Sequence, residues 1–367
     1  MTIQFSQIPG SIRKPGTYIE FNTALAVRTL PTNAQRVCLI VPLTSENESK
    51  AAALTPVALT DAAQAAVLFG AVAQAMMTAA IKSNRYVDLS AIGIELDDGE
   101  EPDITPALDA LAGGGYDILV PAWSSQAAMT ALRNHIASVT DAVEQQSVIG
   151  VGANTTSLAA ATTIATALNS GAVTLALLPG TTSTVAEVAA AYAAAIASEQ
   201  DPARPLNTLP LTGIAVPGIA DRLTRTEQES ALANGITPLE VGPGEVVQIV
   251  RAISTYTKNA AGSDDIALLD LTTIRTLYYV RRACRERIAL RFPRAKLSAA
   301  TPDKVRSELL DVLKRLEELE IVEGVAANAD ALVVERSAND PNRLNAAIPA
   351  DVVNGLHVFA GRIDLIL

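Results

Sequence analysis

The chain has 367 residues, 49% of them apolar, and a formal net charge of −11. Such a chain can bury a core worth two or three domains of roughly 150 residues each, which excludes a disordered protein. Its two cysteines (Cys38, Cys284) and two histidines (His135, His357) exclude a disulfide framework and a metal centre built from several Cys or His ligands. The acidic balance argues against general nucleic-acid binding.

Residues 1–30 read as an arm. Pro9, Gly10, Pro15 and Gly16 break any helix, and Thr17, Tyr18, Ile19, Glu20 and Phe21 form a short strand with no hairpin partner nearby. The start carries no basic and no apolar region of a signal peptide. Residues 35–42 read as a buried strand. Asp61 caps a helix running to about Ser83, with Asn84 at its end. This helix is uncharged over residues 62–81, nearly a membrane span. It is alanine-rich, however, and contains Gln64, Gly70 and Gln74, so a buried helix and no membrane insertion are expected.

A rhythm follows. Strands at 88–96, 117–121, 147–151 and 172–178 alternate with helices at 102–112, 124–139, 155–168 and 182–198. Such alternation predicts βαβ units and a doubly wound, mostly parallel sheet covered on both faces. The stretch around Asp201-Pro202 and Arg204-Pro205 is a junction beyond which charge returns. Strands are expected at 211–217, 246–253, 331–336, 343–349 and 357–367. Helices are expected at 226–233, with Thr226 and Glu229 at capping-box spacing, at 270–291, and from Thr301 to about Glu318.

Enzyme signals are sparse. Gly150-Val151-Gly152-Ala153-Asn154-Thr155 lies between a strand and a helix, but Thr155 stands where a dinucleotide loop needs a small residue, and no P-loop lysine follows. No nucleophile elbow accompanies either histidine. Asp97, Asp98, Glu100 and Glu101 lack the spacing of a calcium loop and read as a solvated loop. Charge patterning says more. Arg275, Arg281, Arg282, Arg285, Arg287, Arg291, Arg294 and Lys296 crowd one segment in which Glu286 is the lone acid. Such a helix needs acidic company, either the protein's own carboxylates, for instance on the helix that carries Glu308, or an acidic partner surface.

The C-terminal third, about 210–367, resembles contractile tail sheath proteins of Mu-like phages and R-type pyocins. The resemblance rests on Ala215-Val216-Pro217, then Arg222-Leu223-Thr224-Arg225-Thr226-Glu227, then Asn234-Gly235-Ile236. Val250-Arg251-Ala252-Ile253-Ser254-Thr255-Tyr256 and Phe292-Pro293-Arg294-Ala295-Lys296-Leu297 follow in order, and after them Asn342-Arg343-Leu344-Asn345 and Ile348-Pro349-Ala350-Asp351. Near the front, Pro15-Gly16-Thr17-Tyr18-Ile19-Glu20-Phe21 and Leu68-Phe69-Gly70 also match.

The resemblance implies a structural subunit without cofactor, metal or catalytic residues. It would polymerise helically, in stacked hexameric rings, around a tail tube protein and meet baseplate and tail terminator proteins. Contraction of that sheath would drive the tube through an envelope. Its place would be a virion tail or phage-tail-like particle assembled in the bacterial host cytoplasm. The implied plan is an N-terminal linker arm (1–27), an α/β domain (28–204), an α+β C-terminal sheath domain (205–352) and a C-terminal strand arm (353–367). The N-terminal strand at Thr17 to Phe21, and a C-terminal one carrying His357, Val358, Phe359, Ile363, Leu365 and Leu367, would add to neighbours' sheets. The basic residues Arg275, Arg281, Arg282, Arg285, Arg287 and Arg291 would face an acidic tube. The alternative reading is a small-molecule enzyme or nucleotide-binding protein on a doubly wound α/β fold.

Overall fold

A computed structural model describes residues 30–43, 51–96 and 101–366. The fold set out below is the unit Asn33–Leu367. Its strands are β1 (Arg36–Leu43), β2 (Val57–Leu59), β3 (Asp88–Glu95), β4 (Ile118–Pro121), β5 (Ile149–Asn154), β6 (Val173–Leu177), β7 (Thr237–Gly242), β8 (Val246–Ile249), β9 (Val322–Glu323), β10 (Val333–Arg336), β11 (Leu344–Ala347) and β12 (Asp351–Val352). The helices are α1 (Ala62–Phe69), α2 (Ala71–Ser83), α3 (Thr105–Leu111), α4 (Gln126–Val139), α5 (Leu158–Leu168), α6 (Val185–Ser198), α7 (Arg225–Ala233), α8 (Leu271–Arg291) and α9 (Thr301–Glu318).

Eight strands form one sheet in the order β2-β3-β1-β4-β5-β6-β7-β8. The inner six run parallel, and β2 and β8 close the edges antiparallel. The order reverses at β1, which makes the sheet doubly wound as the alternation predicted. α2 and α6 pack together on one face, while α3, α4 and α5 follow one another across the other. The inner strands are apolar on both faces because both are covered: β4, β5 and β6 are buried along their whole length. The sheet draws β7 and β8 from beyond the 204/205 junction.

The alanine content has its explanation in α6, which is buried from Val188 to Ala197. Side chains of one carbon let this helix lie close against both the sheet and α2. Its aromatic group, the buried Tyr192, has a hydroxyl 2.9 Å from Thr174 Oγ1 and 3.2 Å from Thr237 Oγ1, so no polar atom of that ring is left unbonded. The glycines of the 150–155 segment lie inside β5 rather than in a loop after it. A Cβ on Gly150 would meet Leu132 and Ile136, and one on Gly152 would meet Met129. Both glycines serve the close approach of α4 to the sheet.

Several expected elements are corrected. The long helix from Asp61 is two helices, because Gly70 adopts φ 96°, ψ −168°, which ends α1 and starts α2. The capping box of α7 is Thr224 with Glu227, two residues earlier than the Thr226–Glu229 pair. A further box, Thr184 with Glu187, starts α6. Residues 211–217 are not a strand, and β7, which sequence periodicity does not flag, takes that place in the sheet. The strand expected at 246–253 stops at Ile249. Beyond it hydroxyls help to hold the chain: Thr174 Oγ1 donates to Ile253 O at 2.6 Å, and Ile253 N donates to Thr237 Oγ1 at 2.9 Å. No helix among the described residues is long and apolar enough to cross a membrane.

Candidate functional site

Three features carry the functional argument: the basic helix, an apolar groove beside it, and the C-terminal tail. α8 lies across the amino ends of the parallel strands, where α4 and α6 end. Helix C-termini expose unpaired carbonyls and the negative end of the helix dipole, so cations are favoured there. Arg281 Nη1 donates to Thr140 O, the cap of α4, at 2.8 Å, and its Nη2 donates to Gln146 O. Arg285 Nη1 donates to Gln145 O at 3.0 Å. Arg275 Nη2 donates to Glu199 O, the cap of α6. Arg275 is 3% exposed, and burial pushes its guanidinium down to about 10. Arg282 donates to Asn33 Oδ1 and lies 3.9 Å from Asp117, whose carboxyl burial pushes up.

Farther along, α8 pairs with α9. Arg287 donates to Glu308 at 3.1 Å and to Asp311 at 2.9 Å, and Arg291 lies 3.4 Å from Glu308. The own-carboxylate reading of the basic helix therefore describes this half. The tube-facing expectation is corrected for the buried Arg275 and Arg287, whose guanidinium groups lie inside the subunit. Arg281, Arg282 and Arg291 are half-buried, and of the six only Arg285 is exposed; the nearby Arg294 and Lys296 are exposed too.

An open groove of about 750 Å³ lies between α8, α9 and the β10–β11 hairpin. Ile288, Phe292, Leu297, Val305, Leu309 and Leu344 are among its walls. The hairpin is a two-stranded sheet on its own, from Val333↔Ala347 to Arg336↔Leu344. Cys284 also borders the groove, but its thiol is buried and pushed up to about 11, so it is an inert wall group.

After β12, residues 354–366 belong to no helix or strand. Leu356, Val358, Phe359, Ile363, Leu365 and Ile366 are all exposed, Ile363 at 99%. His357 differs from its neighbours. Its side chain is 14% exposed and packs on the body, which corrects its assignment to the free arm. Thr17, Tyr18, Ile19, Glu20, Phe21 and Leu367 lie outside the described residues, as do Asp97, Asp98 and Glu100. Among the described residues no group of three His, Cys, Asp or Glu is placed to hold a metal ion. His135 sits on α4, where burial lowers its basicity.

Residues 98–255 match the family model of the phage tail sheath protein central domain, and residues 263–366 match that of the phage tail sheath C-terminal domain. The chain belongs to the contractile tail sheath family. This sheath-family chain is 36% identical over 192 residues to the Mu-like prophage FluMu tail sheath protein of Haemophilus influenzae, an alignment spanning 49% of this chain and 39% of that protein. Its fold is similar to that of a sheath tail protein from Desulfitobacterium hafniense, with TM-score 0.64 and 13% identity over 93% of this chain and 97% of that one. It is also similar to the anti-feeding prophage helical sheath in its contracted state, with TM-score 0.63 and 15% identity over 96% and 98% of the two chains.

Proposed function

We propose that this sheath-family chain is the structural, non-enzymatic subunit of a contractile tail. It polymerises helically in stacked hexameric rings around a tail tube protein, between baseplate and terminator proteins. It works in a virion tail or phage-tail-like particle assembled in the host cytoplasm. The layout is an arm at 1–27, a body at 28–204 and 205–352, and a second arm at 353–367.

The observation that carries this reading is an exposed apolar tail on a chain that also holds an open apolar groove. Each of Phe359, Ile363 and Leu365 gains about 1.5–3 kcal/mol on full burial. In an extended strand these three share one face, together with Gly361. The occupant of the groove is the tail of a second copy, pairing along the β10–β11 hairpin. A heterologous contact that does not close on itself generates a filament. Strand pairing through the main chain keeps copies linked while their bodies shift, which suits a sheath that shortens. The exposed Arg285, Arg294 and Lys296 are the remaining basic groups for an acidic tube. Exposed ion pairs are worth on the order of 0–1 kcal/mol each and release readily.

The test is negative-stain electron microscopy of the purified chain beside versions lacking residues 1–22 or 358–367. Hollow tubes from the full chain and discrete particles from both truncations are the expected result. Tubes from both truncations would overturn arm-mediated assembly.

A further inference from the structure

The root of the tail is built, whereas its remainder is not. Val353 N donates to Ile321 O at 3.4 Å, next to the β9–β12 pairing. From there burial alternates: 353, 355 and 357 are half-buried, and 354, 356 and 358 are exposed. Gly355 lies so close to the body that a Cβ on it would stand 2.6 Å from the Pro205 ring and 2.8 Å from His357 Nε2.

The His357 ring then sits between Asn207 and Asp270. Its Nδ1 is 3.0 Å from Asn207 Nδ2, and its Nε2 is 3.4 Å from Asp270 Oδ1. Asp270 is itself gripped by Arg251, whose Nε and Nη2 donate to its two carboxylate oxygens at 2.8 and 2.7 Å. Asn207 Nδ2 is a donor, so Nδ1 accepts and the neutral ring carries its proton on Nε2, toward the carboxylate. From 358 to 366 every residue is exposed.

We infer that His357 is the pin that sets where the C-terminal arm leaves the body. The inference rests on the arm reading above and adds a residue to it: 353–357 is a docked root, and the free arm begins at Val358. An arm of 358–367 reaches roughly 33 Å at ~3.3 Å per residue, and releasing the four residues 354–357 would add about 13 Å. A sheath needs each arm to arrive at one place on its neighbour, so a fixed departure point sets the spacing that the link can span. Histidine suits the task because a rigid ring presents nitrogen on opposite sides, one toward each partner, which a flexible amide does not.

The experiment is hydrogen–deuterium exchange of the full-length, unassembled chain and of three variants. His357→Ala is expected to speed exchange across 353–358 at least tenfold while leaving β9 and α8 unchanged. Gly355→Ala, which attacks the same docking through its backbone, is expected to do likewise. Deleting 358–367 is expected to leave the protection of 353–357 intact and to abolish tubes. Unchanged exchange in both point variants overturns the pin. Tubes from the deletion variant instead overturn the arm reading, and a fast-exchanging root in the His357→Ala chain would still identify the pin. With both intact, His357→Ala tubes are expected to need a several-fold higher subunit concentration to form.

Discussion

The parallel-sheet body and the C-terminal module solve the burial problem in opposite ways. In the body, six parallel strands are covered on both faces and the antiparallel β2 and β8 guard the edges, so the apolar side chains of the inner strands find partners within one chain. The C-terminal module stops short. Its hairpin has two strands, which are marginal alone, its groove is open, and its tail exposes six large apolar side chains among the described residues. α8 joins the two regions, with Arg275 and Arg281 on body carbonyls and Arg287 on α9. A finished region beside an unfinished one fits the proposed assembly, in which the first stays rigid and a neighbour completes the second.

The contrast can be tested by breaking each region in turn. The largest loss of stability is expected in the body. Leu132, on α4, is fully buried against Gly150, and Leu132→Ala should cost about 3–4 kcal/mol in denaturant unfolding. At the joint, Arg287→Ala leaves Glu308 and Asp311 without their buried cation and should cost about 3 kcal/mol. A drop as large as that of Leu132→Ala, with separate unfolding of α9, would show that the module folds only through this pair. A smaller effect is expected at the start of α6, where Thr184→Ala removes a capping box and should cost about 1 kcal/mol.

The smallest effect is a pH response confined to the tail root. Burial and the Arg251 charge outweigh Asp270 and hold docked His357 below its ordinary value, whereas an undocked ring titrates near ~6.5. The docked state therefore binds fewer protons, and docking weakens as pH falls below ~6.5 toward the lower docked value. Exchange across 353–358, corrected for its intrinsic pH dependence, should rise between pH 7.5 and 5 and stay flat from 7.5 to 8.5. His357→Ala should abolish that response.

How much of this was legible beforehand depends on how local the cause is. Asp61 does cap α1, and the strands around Ile40, Ile92, Val120 and Leu175 lie within a residue or two of where alternation places them. β7 was missed because Pro238 and Gly242 sit in a strand whose pairing with β6 is decided by fold, not by propensity. The arginines of α8 show the same limit. Their density was plain, but the carbonyls that receive Arg275, Arg281 and Arg285 come from helix ends and the turn after α4, more than a hundred or some seventy residues away in sequence.

The amino-acid sequence by itself determined the doubly wound sheet, the cap of α1 at Asp61, and a tail too apolar to be left in water. Those follow from side-chain period, capping chemistry and composition, which act over a few residues. Only the tertiary structure decided which arginines are buried, where the apolar groove opens, and that His357 belongs to the body while Val358 does not. Each of those depends on which distant carbonyl, carboxylate or amide the folded chain brings within about 3 Å of a given group, the range over which hydrogen bonds act.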